Sequence, residues 1–166
     1  TAETAGVVPT WSPDGAWIYY SSARSGRSEL WRIASTGGAA TQITRDGGFS
    51  PVIAHNRLVY AANQARVTTL RELNLKTNEV TNLATEVMRR DYYPSGDGVY
   101  YIGRSASGRY SLKFLASNQN PAKTIFEFTA QPAEGMSLSP DGRVLYYGQS
   151  EKSGSDLFLV QDFWRN

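Results

Sequence analysis

Residues that could carry acid–base or nucleophilic chemistry are few in this 166-residue sequence. A Ser-His-Asp triad, or a metal site built on imidazole, would have to use His55, the single histidine of the chain. The absence of cysteine excludes disulfides and thiolate metal ligands, and no Gly-x-Ser-x-Gly elbow occurs. We therefore predict no catalytic residue, no metal site and no cofactor, and we interpret His55 as an exposed turn residue.

Two aspartates, Asp14 and Asp141, belong to the same tetrapeptide, Ser-Pro-Asp-Gly, which occurs twice. In such a turn the proline presets φ, the serine and aspartate accept hydrogen bonds from backbone N–H groups, and the glycine stands where a Cβ would clash. We therefore interpret both copies as structural turn motifs rather than as catalytic acids. Their residues are Ser12, Pro13, Asp14, Gly15, Ser139, Pro140, Asp141 and Gly142.

The polar cluster with the clearest binding chemistry is the run Arg89, Arg90, Asp91 and Tyr92. Two adjacent arginines are suited to hold a carboxylate or a phosphate. The alternative is a loop between repeats in which Arg90 forms an ion pair with Asp91 or with Glu86. Both interpretations stay open from the residues alone, and the four residues of the run are the candidate binding residues.

The elements that position these residues recur at an even spacing. One marker is the residue that closes each hairpin turn, and it recurs at intervals of 41, 42 and 44 residues: Gly15, Asn56, Gly98 and Gly142. A second marker recurs at intervals of 40, 42 and 45 residues: Leu30, Leu70, Leu112 and Leu157. Two independent markers with the same period indicate four copies of one structural unit.

Each copy is predicted to contain short strands, because Val, Ile, Tyr, Trp and Thr are enriched between Gly, Ser, Asp and Asn. The second strand of each copy, such as Trp17-Ile18-Tyr19-Tyr20, is apolar at consecutive positions, which indicates that both of its faces are covered. A β-sandwich, the structural alternative, gives no reason for a fixed period. We therefore predict an all-β fold, a β-propeller of about four blades, each an antiparallel four-stranded sheet.

The predicted blades span residues 7–48, 49–88, 89–131 and 132–166, and the last blade lacks its outer strand. No helix is expected; "TNEVTNLATEVMRR" is assigned to a strand and loop. The aromatic residues Trp11, Trp17 and Trp31 and the tyrosine pairs are expected in the core between blades. Trp164, on the last strand, is a candidate for contact with a neighbouring element.

The first copy, "WSPDGAWIYYSS…SELWRIASTGGAATQIT", resembles the WD40-like (PD40) repeat of the TolB-type propellers, which also occurs in prolyl oligopeptidase and dipeptidyl peptidase relatives. The resemblance covers Pro9 to Thr44 throughout and Gly135 to Phe163 well, whereas the two middle copies keep only the spacing. The last copy is similar to the carboxy-terminal ending of large bacterial proteins that join such a propeller to a winged-helix regulator or a kinase. The resemblance implies a binding or scaffolding propeller.

Four blades are fewer than the six to eight that the related propellers use. We expect the chain to be the C-terminal portion of a larger propeller, with the missing blades upstream of Thr1. The alternatives are a compact four-bladed ring and an assembly completed by a second copy. An uncovered blade face would expose Tyr and Trp side chains and favour pairing with a homo-oligomeric partner or with the missing blades.

The net charge of +2, without a long basic run, predicts that this region contacts no nucleic acid, and no apolar stretch is long enough to span a membrane. The compartment stays open between the bacterial periplasm and the cytoplasm. We expect a non-catalytic module that binds a protein, peptide or small ligand within a larger bacterial sensor, regulator or envelope protein. The alternatives are the substrate-gating propeller of a serine peptidase and a lyase, which would need more histidines.

Overall fold

The computed structural model describes residues 7–62, 67–117, 121–139, 141–151 and 154–161. These residues contain fourteen β-strands and no helix, so the prediction of an all-β chain is confirmed. No helix in the described residues is long and apolar enough to cross a membrane. The chain forms two compact units, unit 1 (Thr1–Ala84) and unit 2 (Thr85–Asn166).

We divide the strands into four consecutive groups. The first group comprises β1 (Val7–Trp11), β2 (Trp17–Ser22), β3 (Glu29–Ala34) and β4 (Thr41–Gln42). The second comprises β5 (Phe49–Ala54), β6 (Arg57–Ala61) and β7 (Val67–Leu73). The third comprises β8 (Val80–Pro94), β9 (Gly98–Arg104), β10 (Tyr110–Ala116) and β11 (Lys123–Glu127), and the fourth comprises β12 (Pro132–Leu138), β13 (Val144–Glu151) and β14 (Gly154–Gln161).

Every strand pairs antiparallel with the next strand of its group, in sequence order. Strand β8 is 15 residues long and is hydrogen-bonded to β7 as well as to β9; its residues Val87–Pro94 form the pairing with β9. "TNEVTNLATEVMRR" therefore forms mostly strand, as its threonine content favours. The predicted blade bounds stay a prediction.

The core of unit 1 lies between its two groups. Tyr19 and Leu30 of the first group form one apolar cluster with Leu58, Tyr60 and Leu73 of the second group. Strand β6 carries Leu58, Val59 and Tyr60 on alternate faces, and all three are fully buried. Both faces of this strand are therefore covered, as its run of consecutive apolar residues predicted.

Unit 2 has a core of the same kind. Ile102 and Leu112 of the third group lie in one cluster with Leu138, Leu145 and Tyr147 of the fourth group. Phe128, which follows β11, contacts Tyr147 edge to face, with ring centroids 4.9 Å apart. The fourth group shows three strands among the described residues, and the predicted contact residue Trp164 lies outside them.

Two single-residue predictions differ from the structure. Trp11 was expected in the core between blades, but in this chain 56% of its surface is exposed, because it lies on the face of the first group opposite to Tyr19, which packs against the second group. Gly98 was expected to close a turn as Gly15 does, but it is the first residue of β9 and lacks the left-handed φ of Gly15. The turn before it is shorter: Ser95 N–H donates to Gly98 O, whereas Ser12 N–H donates to Trp17 O.

Candidate functional site

The first strand of every group carries an irregularity at the same place. In each of these strands the pairing with the second strand shifts, and one residue near the shift has a positive φ. The shifts lie between Val7 and Thr10, Phe49 and Val52, Val87 and Tyr92, and Pro132 and Met136. The positive-φ residues are Val8 (55°), Ser50 (50°), Arg90 (68°) and Gly135 (115°).

These bulges follow the repeat, at intervals of 42, 40 and 45 residues (50−8, 90−50, 135−90). A positive φ is rare for valine, serine and arginine, and a β-branched residue such as Val8 is strained there. Strain of this kind persists only where the surrounding structure maintains it, and it concentrates at functional sites. In a propeller the first strand of each blade borders the central channel. The bulged first strands are therefore the candidate functional face.

Hydrogen bonds between groups end at two of these bulges. In unit 1, Ser50 N–H donates to Ser21 Oγ across 2.9 Å. In unit 2, Gly135 N–H donates to Asp91 Oδ1 across 2.7 Å. In both cases the N–H group of a bulged residue donates to a side chain of the preceding group. The bulges thus fasten the two groups of each unit to each other at this face.

The predicted binding residues lie at the third bulge. Arg89, Arg90, Asp91 and Tyr92 are all in β8, so the loop placement in the alternative interpretation is wrong, whereas its ion pair of Arg90 with Asp91 or Glu86 stays a prediction. Asp91 and Tyr92 are fully buried, whereas Arg89 and Arg90 are half-buried. The positive φ of Arg90 interrupts the normal alternation of side chains along the strand at this point. The cluster thus combines two partly accessible arginines with a buried carboxyl.

Asp91 is the electrostatically unusual member of the cluster. Burial, the largest effect, raises the pKa of its carboxyl, the Gly135 N–H lowers it and the negative charge of Glu134 raises it, so that the pKa moves from 3.8 to about 7. Its Oδ2 is buried and has no hydrogen-bond partner among the described residues. A carboxyl in this state exchanges its proton near neutral pH. Gly135 and Glu134 were not predicted to act on Asp91, because Gly135, which donates the hydrogen bond, lies 44 residues away in sequence, and Glu134 precedes it.

The two Ser-Pro-Asp-Gly turns have the same geometry. Ser12 Oγ donates to Asp14 Oδ1 across 2.5 Å and accepts from Trp17 N–H across 2.9 Å. Ser139 Oγ likewise donates to Asp141 Oδ1 across 2.6 Å and accepts from Val144 N–H across 2.9 Å.

These hydrogen bonds lower the pKa of the aspartates, Asp14 chiefly through the bond from Ser12 and Asp141 chiefly through the bond from Ser139. The glycines have left-handed φ angles, 68° at Gly15 and 69° at Gly142. The geometry is that of local turn hydrogen bonding. Pro13 is exposed at its turn, and Pro140 lies outside the described residues.

His55 lies in the turn between β5 and β6, where it is exposed and has a φ of 50°; Asn56 beside it has a φ of 59°. Asparagine and histidine are among the residues that tolerate this left-handed conformation. In the described part of the chain, no group of three or more His, Cys, Asp or Glu side chains is placed to hold a metal ion.

Glu29 is a buried acid that was not predicted from the sequence, and it links the strands and the last loop of the first group. Glu29 accepts hydrogen bonds from Thr44 Oγ1 across 2.6 Å and from Gly47 N–H across 3.1 Å, and it pairs with Arg27 at 2.6 Å. Thr44 Oγ1 in turn accepts from Leu30 N–H across 2.8 Å. This network fixes the loop after β4 to the start of β3, which is a structural role. The sequence signal that could have identified this network is the pair of repeat segments "SEL" and "QIT", which contain Glu29 and Thr44.

No family model matches the chain. In sequence, the chain is 44% identical over 36 residues to an uncharacterized protein of Agrobacterium fabrum strain C58, a match covering 22% of this chain and 12% of that protein.

In structure, the chain is similar to TolB from Acinetobacter baumannii, with a TM-score of 0.80 and 16% identity over 99% of this chain and 42% of TolB. It is also similar to part of a prolyl endopeptidase, with a TM-score of 0.66 and 13% identity over 96% of this chain and 28% of that enzyme. The chain thus spans less than half the length of these proteins. The predicted architecture is confirmed: this chain has the all-β, antiparallel β-propeller fold of the TolB-type propellers.

Proposed function

We propose that this chain is a non-catalytic binding module, which holds a protein or peptide partner at the bulged first strands of its propeller. The module would serve within a larger bacterial sensor, regulator or envelope protein. The observation that carries the proposal is the bulge at Arg90, where half-buried Arg89 and Arg90 immediately precede a buried Asp91 whose carboxyl accepts a hydrogen bond from Gly135 N–H. The TolB-type fold supports a binding role, because propellers present ligand surfaces at the channel that their first strands border.

The chemistry of the partner follows from the two arginines. Guanidinium groups bind carboxylates in bidentate fashion and keep their charge at every physiological pH. Asp91, when protonated, adds no negative charge to this segment of β8, and its pKa of about 7 places this state within reach of neutral pH. We therefore expect the partner to present carboxylate groups, as an acidic peptide segment does.

The test is affinity capture of partners by the parent protein. Three proteins are compared: the wild type, the double variant Arg89→Ala/Arg90→Ala, and Arg109→Ala as a matched control. Arg109 lies in the same unit, and 77% of its side chain is exposed. We expect partner recovery to fall sharply for the double variant and to be unchanged for the control. Equal recovery by wild type and double variant would contradict the proposal.

A second candidate function is the substrate-gating propeller of a serine peptidase. The observation that favours it is the structural likeness to a prolyl endopeptidase. A peptidase domain would supply a Gly-x-Ser-x-Gly nucleophile elbow, which these 166 residues do not contain. The parent sequence discriminates between the two functions: an adjoining hydrolase domain with that elbow favours gating, and an adjoining DNA-binding or kinase domain favours the sensor or regulator.

A further inference from the structure

In both units the later group packs the same face against the group that precedes it. The two faces of a group can therefore be told apart. We call the face that packs against the preceding group the leading face. In the second group it is formed by Ile53, Leu58 and Leu73, which are register partners in β5, β6 and β7, and by Tyr60 two residues along β6. These residues lie in one cluster with Tyr19 of the first group. Leu58 and Tyr60 are fully buried there.

The fourth group repeats this arrangement. Leu138 and Leu145 are register partners in β12 and β13, and Tyr147 lies two residues along β13. All three are buried in a cluster with Ile102 and Leu112 of the third group. In both units the leading face is therefore covered by the group that comes immediately before it in sequence.

The first group has the same leading face, but it is exposed. Trp11, Ile18 and Ile33 are register partners in β1, β2 and β3, as Ile53, Leu58 and Leu73 are in the second group. Tyr20 takes the place of Tyr60. Trp11 is 56% exposed. Ile18, Tyr20 and Ile33 are half-buried. Their counterparts in β6 and β7 are buried: Leu58, Tyr60 and Leu73. An apolar surface with two aromatic residues is thus exposed at a position that is covered in the second and fourth groups.

We propose that this leading face is the docking surface for a further blade of the same repeat, which lies N-terminal to Val7 in the same polypeptide. The sequence order supports this occupant, since each covered leading face is covered by the group that precedes it. The comparison supports it as well, because more than half of the TolB chain lies outside the match. The opposite face of the incoming blade would resemble that of the first group, where Tyr19 and Leu30 contact the second group.

The charges on this surface specify one more feature of the occupant. Between the first and second groups, Arg71 Nη1 pairs with Asp46 Oδ2, an acid two residues after the closing Thr44. Arg71 is the strand-register partner of Tyr60 in the second group, and Trp31 is the register partner of Tyr20 in the first group. Trp31 therefore takes the place of Arg71 on the exposed face. On the exposed face the guanidinium of Arg24 lies 4.9 Å from the Trp31 ring and 5.5 Å from the Tyr20 ring. We expect the incoming blade to present an acid to Arg24, placed like Asp46.

Hydroxyl-radical footprinting with mass spectrometry tests the proposal at residue level. The labelling rate of Trp11 is measured in the parent protein and in the 166-residue protein, both at low concentration. We expect Trp11 to be labelled readily in the 166-residue protein and several-fold more slowly in the parent. Val80, which is also exposed but lies in β8, is the internal control and keeps the same rate in both.

Three outcomes would overturn the proposal. Equal labelling of Trp11 in the two proteins would show that no upstream segment covers the leading face. Protection of Trp11 in the 166-residue protein that increases with its concentration would assign the surface to a second copy instead. In the parent protein, Trp11→Glu is expected to lower the midpoint of urea unfolding more than Val80→Glu does. Equal midpoints for the two variants would contradict the proposal independently of labelling.

Discussion

Gly135 N–H donates a 2.7 Å hydrogen bond to Asp91 Oδ1, and this contact joins the bulged first strands of two consecutive groups in unit 2. Asp91 follows Arg90, whose φ is 68°, and Gly135 has a φ of 115°. Each bulge thus supplies one partner: the third group provides a buried carboxyl, and the fourth provides an N–H group at the register shift of its first strand. The candidate binding residues are held in place by this contact.

Asp91→Asn is expected to change how stability depends on pH. Because burial raises the pKa of Asp91 from 3.8 to about 7, the folded protein keeps a proton that the unfolded chain releases as pH rises above 4. Wild-type stability therefore falls relative to Asp91→Asn between about pH 4 and pH 7, by about 1.4 kcal/mol per unit at most, and levels off above pH 7.

Urea unfolding of both proteins at pH 5, 6, 7 and 8 measures this difference. Asparagine keeps an oxygen that can accept from Gly135 N–H, and all other titrating groups cancel between the two proteins. A difference in free energy of unfolding that stays constant over this range would contradict the pKa assigned to Asp91.

Gly98→Ala is expected to destabilise the protein strongly. A Cβ at Gly98 would lie 2.4 Å from Leu115 O and 2.5 Å from the Phe114 ring, whereas a Cβ at Gly15 would meet no atom within 4 Å. Overpacking of this kind costs about 1–3 kcal/mol, and strand β10 must shift to relieve it. Gly15→Ala, which suffers only from its φ of 68°, is expected to cost about 1 kcal/mol. Chemical denaturation of both variants measures the costs, and a Gly15→Ala cost above that of Gly98→Ala would contradict this assignment.

Ser12→Ala and Ser139→Ala are expected to have similar effects, because the two turns share one geometry. Each substitution leaves a backbone N–H, that of Trp17 or of Val144, without the serine oxygen that accepts from it. The loss is about 1–2 kcal/mol in the free energy of unfolding. Thermal and urea unfolding of the two variants check this, with Ser35→Ala as the control, since Ser35 lies in an exposed turn outside the motif. If only one of the two variants is destabilised, the turns are not equivalent.

Sequence patterns predicted the fold because its determinants are local. The Ser-Pro-Asp-Gly turn fixes a hairpin through bonds among Ser12, Asp14 and Trp17, which are close in sequence. Consecutive apolar residues such as Leu58, Val59 and Tyr60 report that both faces of a strand are covered. These signals suffice for an all-β repeat.

The candidate site was predicted only in part, because its determinants are not local. Valine, serine and arginine carry no signal for positive φ, so the bulges at Val8, Ser50 and Arg90 are set by the pairing of whole strands. The Asp91–Gly135 contact spans 44 residues, which no local pattern reports. The exposure of Trp11 in this chain was not predicted, because the residues of a strand do not show whether another sheet covers its face.

Within each unit one sheet covers the apolar face of the next, and the contact between Phe128 and Tyr147 provides a direct probe of this stacking. A double-mutant cycle with Phe128→Leu and Tyr147→Leu measures their coupling in the free energy of unfolding. The edge-to-face contact between the third and fourth groups predicts a favourable coupling of about 0.5–1.5 kcal/mol. Strictly additive effects of the two substitutions, with no measurable coupling, would contradict the stacking of these sheets.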